Sequence, residues 1–180
     1  MKTEREVKES LCEEGVFHQE YTNHELKVRN FLFYKLGDLE KARDFTQEAF
    51  VRLWNNCTKV ALDKVKSYLF TTANRLFLDH YDHQKVILKF EYRMDRSEDR
   101  MEQNPEFLYE GQEFKQRLEF AISSLPEKQR VVFLMSRIDK YKNWEIAEIM
   151  DISIKTVEKH ISVAVKSLKD DLDELNNLKV

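Results

Sequence analysis

The chain contains almost none of the residues that interrupt helices. Its 180 residues include three glycines (Gly15, Gly37 and Gly111) and two prolines (Pro105 and Pro126). A β-rich fold needs many more turns than this, because glycine and proline supply many of the backbone conformations of turns. Leu, Lys, Glu and Arg, which favour helix, are frequent instead. The sequence therefore predicts an all-α protein.

Three stretches in the N-terminal half repeat apolar residues at helical spacing. Residues 16–36 predict one helix or two, ending before Gly37. The second stretch, Leu39 to Trp54, has an apolar stripe and a polar outer face, and Phe50 and Trp54 are predicted to anchor the core. The third covers about residues 65–81 and follows a basic approach. Three packed helices suffice for a small domain.

An acidic stretch separates two more basic parts of the chain. The net charge is -3, but acids dominate residues 91–112, which also lack a sustained apolar face. Proline pushes the preceding residue, Asn104, away from helix, and helical periodicity returns at Glu113. We therefore predict two small helical domains, residues 15–90 and 113–170, joined by an acidic linker over residues 91–112.

Two closely spaced helical patterns near the C-terminus predict a helix-turn-helix. Residues 143–150 form the first pattern, and Ser153 can cap a second helix that runs to about Leu168. Asp151, between them, tolerates the left-handed conformation that such a turn can require. The inner stripe of the second helix is predicted to contain Ile154, Val157, Ile161, Val165 and Leu168. A helix of this kind fits the major groove of DNA, while a plain helical hairpin with a solvated charged face is the alternative.

The run LPEKQRVVFLMSRIDKYKNWEIAEIMDISIKTVEKHISVAVKSL resembles region 4 of the extracytoplasmic-function (ECF) sigma factors, which binds the promoter element near -35. The resemblance implies a DNA-reading face made of Lys155, Thr156, Glu158, Lys159, His160 and Ser162. For His160, packing at the edge of the core is the alternative. ISIKTVEKH also resembles the output domain of response regulators, so a conventional regulator that binds its operator without polymerase is a rival hypothesis.

Two runs in the N-terminal half resemble region 2 of the same family. ARDFTQEAFVRLW is similar to the helix that docks on the clamp of the polymerase largest subunit, which implies core-polymerase contacts by Asp44, Gln47, Glu48 and Arg52. KSYLFTTANRLFLDHYD is similar to the stretch that recognises the element near -10, which implies DNA binding by Lys66, Tyr68, Asn74 and Arg75. Asp79 matches an acidic position of the family, or it pairs with Arg75 four residues earlier.

Together these runs identify the chain as a member of the ECF sigma factors. Membership implies an alternative sigma factor that binds core RNA polymerase, recognises the -35 and -10 elements, and aids promoter opening. The implied partners are core polymerase, double-stranded and melted promoter DNA, and an anti-sigma factor. The acidic linker would thread into polymerase near the RNA exit path, or serve as a disordered spacer. A helical interaction module with no DNA role is the second rival.

The remaining sequence features predict neither an enzyme nor a membrane protein. No catalytic triad, phosphate-binding loop or metal cluster is evident, so no cofactor is expected, and His80 and His83 lack a third metal ligand. The N-terminus carries acids without an apolar run, and no later stretch is long enough to span a bilayer, which predicts a cytoplasmic protein without stable membrane insertion. Cys12 and Cys57 lie far apart in the sequence and are predicted to be reduced thiols.

Overall fold

The computed structural model describes the backbone of residues 10–80 and 105–177 and the side chains of residues 10–80 and 114–171. These segments form helices α1 (Glu14–Leu36), α2 (Leu39–Asn55), α3 (Val65–His80), α4 (Pro105–Ser124), α5 (Glu127–Arg137), α6 (Asn143–Met150) and α7 (Ile154–Asn177). A 3₁₀ turn, Leu62–Lys64, precedes α3. The described backbone contains no strand, which confirms the all-α prediction. The helices divide into two compact units, one that contains α1–α3 and one that contains α4, α5, α7 and α6 as far as Ala147.

Residues 16–36, left as one helix or two, lie in the single helix α1, which a two-residue connection joins to α2. Gly37 adopts the left-handed conformation at φ 70°, and its N–H donates to the Phe33 carbonyl, which ends α1. The next residue, Asp38, accepts a hydrogen bond from the Lys41 backbone N–H at 3.0 Å and caps α2. Because the connection is so short, α2 folds back along α1 as a helical hairpin.

The core of the N-terminal unit lies where α3 packs against α1 and α2. The rings of Phe31 and Phe70 meet edge to face at a centroid distance of 5.3 Å. Lys35 is buried with its ammonium 4.4 Å from the Phe77 ring centroid, so an aromatic face offsets part of the cost of burying this charge. The other buried apolar side chains include Val28, Leu32, Ala42, Ala49, Phe50, Leu53, Val65, Leu69 and Ala73.

In the C-terminal unit, α4 and α5 both pack against α7. Arg130 of α5 is buried and donates to the backbone carbonyl of Leu125 at 3.0 Å, beyond the last turn of α4. Helix α4 begins at Pro105, not at residue 113, because proline fits a first helical turn whose N–H groups lack intrahelical partners. Residues 91–104 of the predicted linker lie outside the described residues. No helix in the described segments has both the length and the apolar character needed to cross a bilayer.

The helix-turn-helix prediction is confirmed in its local geometry. Asp151 follows α6 with φ 52°, and the N–H of the next residue, Ile152, donates to the Ala147 carbonyl at 3.0 Å. The Ser153 hydroxyl accepts from the Thr156 N–H at 3.1 Å and caps α7. The predicted inner stripe is partly wrong: Ile154 and Val165 are exposed, whereas Val157, Ala164 and Leu168 are buried. Position 165 is turned about 100° from Ala164, which takes it off the buried face.

Candidate functional site

A basic cleft lies beside the loop that follows α2. Its volume is about 440 Å³, and its lining residues are Lys59, Val60, Ala61, Lys64, Ser67, Tyr68, Thr71, Thr72 and Arg75. Residues 64, 68, 71, 72 and 75 are spaced by turns of a helix, so they share one side of α3 and the 3₁₀ turn before it. Cations, hydroxyl groups and one aromatic ring therefore meet in a single cleft. This combination suits a nucleic-acid strand, whose phosphates are anionic and whose bases stack on aromatic rings.

Tyr68 is fixed in this cleft by the end of α2. Its hydroxyl lies 3.3 Å from the Arg52 carbonyl oxygen, to which it donates, and accepts from the Asn56 side-chain amide at 3.2 Å. The same amide donates to the Arg52 carbonyl at 2.8 Å. These contacts hold the tip of the ring, so its position depends on the start of the loop after α2.

The four residues predicted to bind the -10 element do not all lie in the same place. Tyr68 and Arg75 line the cleft, whereas Lys66 and Asn74 are not among its lining residues. Position 66 is turned about 200° from position 68 on an α-helix, so Lys66 belongs to another face. Arg75 forms no ion pair with Asp79 among the described residues, which removes that alternative for Asp79.

Lys66 lies instead near His24 of α1. Burial lowers the pKa of His24, and the positive charges of Lys27 and Lys66 lower this pKa further, against the opposing effect of Glu20. The Nε2 of His24 is 3.2 Å from a Glu20 carboxylate oxygen. Lys66 is therefore part of the electrostatic surroundings of an internal histidine, separate from the cleft.

The polar residues predicted on α2 share one face. Asp44, Gln47 and Arg52 are exposed, and Glu48 is half-buried. Arg52 donates to Glu48 at 2.7 Å one turn away, an exposed ion pair that adds little stability. This surface is open to a partner protein and carries both charges and an amide.

An apolar groove borders that polar face. It measures about 420 Å³ and is lined by Phe17, Tyr21, Gln47, Phe50, Val51 and Trp54. The prediction for Phe50 is confirmed, since it is buried, but the prediction for Trp54 is wrong, since its side chain is 43% exposed. Trp54 lies two turns beyond Gln47, on the same side of α2, and its ring meets that of Phe17 edge to face at a centroid distance of 4.9 Å.

On α7, Lys155, Glu158, Lys159 and Ser162 are exposed. The Thr156 hydroxyl is 2.8 Å from that of Ser153, so this side chain takes part in the helix cap. His160 is half-buried, and burial lowers its pKa, with the charges of Lys128 and Lys159 acting in the same direction. His160 is consequently neutral near pH 7 and does not add to the positive charge of this face.

Comparisons with known proteins identify the family. The model for Sigma-70 region 2 matches residues 21–86, and the model for Sigma-70, region 4 matches residues 115–168. The chain is 25% identical over 158 residues to the ECF RNA polymerase sigma factor SigW of Bacillus subtilis (strain 168), covering 83% of this chain and 84% of that protein. It is 26% identical over 150 residues to the ferric citrate uptake sigma factor FecI of Escherichia coli (strain K12), covering 83% and 87%. The chain belongs to the ECF sigma factors.

A solved sigma factor shares the fold of this ECF sigma factor. The structure of RpoE from Bartonella quintana, in complex with the anti-sigma factor NepR, matches with a TM-score of 0.61 and 19% identity. The match covers 87% of this chain and 96% of that one. This structural match and the two family models therefore agree with the predicted fold class, an all-α protein with two small helical domains.

As an ECF sigma factor, the protein directs promoter-specific initiation of transcription by RNA polymerase and is not an enzyme. The response-regulator hypothesis fails because residues 10–80 are helical and contain no strand, whereas a receiver domain alternates strands and helices. The hypothesis of a helical module without a DNA role fails because region 4 is matched along with region 2.

Seven of the nine residues that line the cleft were not predicted as site residues, among them Lys59, Lys64 and Thr71. The spacing of Lys64, Tyr68, Thr71 and Arg75 was a usable signal, since these positions recur every three or four residues. Lys59 lies in the loop after α2. Only the folded structure brings that loop to the cleft.

The prediction of two reduced cysteines is wrong for this structure. Cys12 and Cys57 form a disulfide, with their Cα atoms 5.1 Å apart despite a separation of 45 residues. The helical hairpin explains the error, because α2 returns the chain to the level at which α1 begins. Distance along the sequence was a poor guide to distance in space.

Proposed function

We propose that three surfaces of this sigma factor have separate roles in the initiation of transcription. The polar face of α2 docks on core polymerase, the basic cleft holds the -10 element as it opens, and the first turns of α7 read the -35 element. The basic cleft is the observation that carries this proposal. It places Lys59, Lys64 and Arg75 around a tyrosine whose hydroxyl is already held by hydrogen bonds.

The chemistry of the cleft fits a melted strand better than a closed duplex. Promoter opening exposes base faces, and an aromatic ring can stack on such a face whatever the base. The three cations can hold the adjoining phosphates, which fixes the strand while the base is captured. Because Asn56 and the Arg52 carbonyl preorganise Tyr68, less side-chain freedom is lost on binding. Lys66 and Asn74 lie outside the cleft, on two other faces of α3, and would contact DNA there.

The α2 face fits a protein partner. Asp44, Gln47, Glu48 and Arg52 supply polar contacts, while Val51 and the exposed Trp54 supply apolar area beside them. An interface of this kind commonly combines an aromatic anchor with a polar surround. We assign this face to the polymerase clamp.

The remaining assignments complete the proposal. Residues 15–90 form the unit that binds core polymerase and the -10 element, residues 113–170 form the unit that binds the -35 element, and the acidic residues between them connect the two. The protein acts in the cytoplasm, where its polymerase and promoters are. Since RpoE of Bartonella quintana was solved with an anti-sigma factor, we also propose an anti-sigma partner for this chain.

Transcription in vitro tests the proposed function directly. Purified core polymerase lacking any sigma factor should give defined transcripts from genomic DNA of the source cell only when this protein is added. The variant Asp44→Ala, Gln47→Ala should need a higher concentration for the same yield, because two exposed contacts to polymerase are removed without disturbing the core. Circular dichroism checks that this variant folds. An absence of promoter-specific transcripts with the unaltered protein would refute the proposal.

Lys159→Ala should weaken binding to the upstream promoter element by about 3- to 10-fold, since one exposed cation at the start of the recognition helix is lost. Footprinting of the holoenzyme on the mapped promoters measures this effect. Lys169→Ala is the matched control, because Lys169 is also exposed on α7 but lies almost three turns further on. Equal footprints for both variants would remove Lys159 from the reading face.

A further inference from the structure

The disulfide closes the open end of the α1–α2 hairpin. Cys12 precedes α1 by two residues and Cys57 follows the end of α2 by two, and their bond links these positions across 45 residues of sequence. Both cysteines are half-buried and not enclosed in the core, and redox-active cysteines are typically partly exposed. Leu11, next to Cys12, is almost fully buried, which anchors this end of the bridge.

The other end of the bridge lies in the loop that forms one wall of the basic cleft. Cys57 stands between Asn56, which holds the Tyr68 hydroxyl, and Lys59, Val60 and Ala61, which line the cleft. Within the loop, the N–H groups of Lys59 and Val60 donate to the Asn56 carbonyl at 2.8 and 3.2 Å. The disulfide thus ties this short loop to the anchored segment before α1.

In the proposed cytoplasmic location, the formation of this bond depends on the redox state of the surrounding thiols. Thiol pools keep most cytosolic cysteines reduced, and cytosolic disulfides that do form are usually transient, catalytic or redox-sensing. A partly accessible pair that is close enough to bond can therefore follow the state of the glutathione pool. A bond with no role beyond stability would be poorly suited to this compartment.

We propose that Cys12 and Cys57 form a redox-sensitive site that controls the cleft, an inference that rests on the proposed role of the cleft in promoter opening. The bridged form keeps the loop and Tyr68 in place, so the cleft is formed before DNA arrives. The reduced form leaves the loop without its covalent tie to the segment before α1, held by hydrogen bonds and packing. Part of its order must then be regained on binding, which weakens capture of the melted strand.

The bridge forms by thiol–disulfide exchange with a small disulfide such as oxidised glutathione. One cysteine thiolate attacks the small disulfide, giving a mixed disulfide and one small thiol. The second cysteine attacks the protein sulfur of the mixed disulfide and releases the second small thiol. In total, two protein thiols lose two protons and two electrons, and one small disulfide becomes two thiols. Reduction runs the same steps in reverse.

The test uses the full-length protein, equilibrated in glutathione buffers of defined ratio and then assembled with core polymerase. A maleimide reagent of high mass reports the fraction of free thiols, and permanganate reactivity reports opening on the promoters mapped by transcription. We expect the bridge to form and break across the buffer series. Reduction should lower the yield of open complex by about tenfold, the size expected when a few side chains must be ordered on binding.

The double variant Cys12→Ser, Cys57→Ser is the control, and its opening should stay at the reduced level in every buffer. Any response of polymerase itself to glutathione would appear with this variant too. The upstream footprint should not change, because both cysteines of the chain lie in the N-terminal unit. If circular dichroism shows that the variant loses helicity, the unaltered protein alone tests the proposal. Its yield of open complex should then fall in step with its fraction of free thiols across the glutathione buffers.

The possible failures are distinguishable. A bridge that does not form in oxidised buffer, or equal opening by bridged and reduced protein, would overturn the redox inference while leaving the sigma-factor function intact. An absence of specific transcripts from both forms would refute the proposed function and the redox inference with it.

Discussion

Leu69→Ala should lower the free energy of unfolding of the N-terminal unit by about 2–5 kcal/mol, the range for removing a fully buried leucine side chain. Leu69 has no exposed surface and lies on α3, which packs against both other helices of the unit. The cost combines lost apolar burial with the cavity that remains. Small domains are often stable by only about 5 kcal/mol or a little more. The variant should therefore keep only a small margin of stability in this unit, so core binding and promoter opening should be lost at a lower temperature and a lower urea concentration than in the unaltered protein.

Leu78→Ala is the matched control, since the same atoms are removed from the same helix where the side chain is 60% exposed. It should change stability by about 0.5 kcal/mol or less. Urea unfolding in a Trp144→Phe background follows the N-terminal unit through Trp54, because the chain has two tryptophans. Similar midpoints for the two variants would contradict the assigned core.

Sequence patterns predicted the helices of this protein well because local chemistry sets their ends. Gly37 and Ser153 act at the boundaries as predicted, through a left-handed backbone and a side-chain cap, and Asp38 caps α2 by the same local chemistry. The start of α4 was misjudged because residues 91–112 were grouped by charge, whereas Pro105 is well suited to a first helical turn. Local stop and start signals were more informative than charge.

Properties that depend on packing were harder to predict. The exposure of Trp54 depends on which side of α2 meets α1 and α3, and apolar character alone does not give that side. Lys66 and Tyr68 are neighbours in the sequence motif, yet helix geometry sends them to different faces of α3. The Cys12–Cys57 disulfide is a tertiary contact, visible only once the hairpin brings its two ends together.

The double variant Lys64→Ala, Arg75→Ala should lower the yield of open complex by about a hundredfold. It removes two proposed contacts between cations of the cleft and DNA phosphates, and each contact is worth roughly a factor of ten. Lys64 is 3.5 Å from Asp63 in an exposed ion pair, so its removal leaves no buried charge behind. The two truncations spare every buried apolar side chain of the unit. Assembly with core polymerase should therefore continue, and the defect should appear in permanganate reactivity.

Salt dependence distinguishes a lost phosphate contact from a general loss of fold. The logarithm of the binding constant for melted promoter DNA should fall less steeply with the logarithm of salt concentration, by about 1.4 in slope for two contacts to a single strand. The control Lys27→Ala, Lys41→Ala removes the same charge from exposed positions on α1 and α2, outside the cleft. Its slope should stay close to that of the unaltered protein. If the two double variants lose equal affinity and equal slope, net charge rather than the cleft attracts the DNA, and the assignment of the cleft to the melted strand fails.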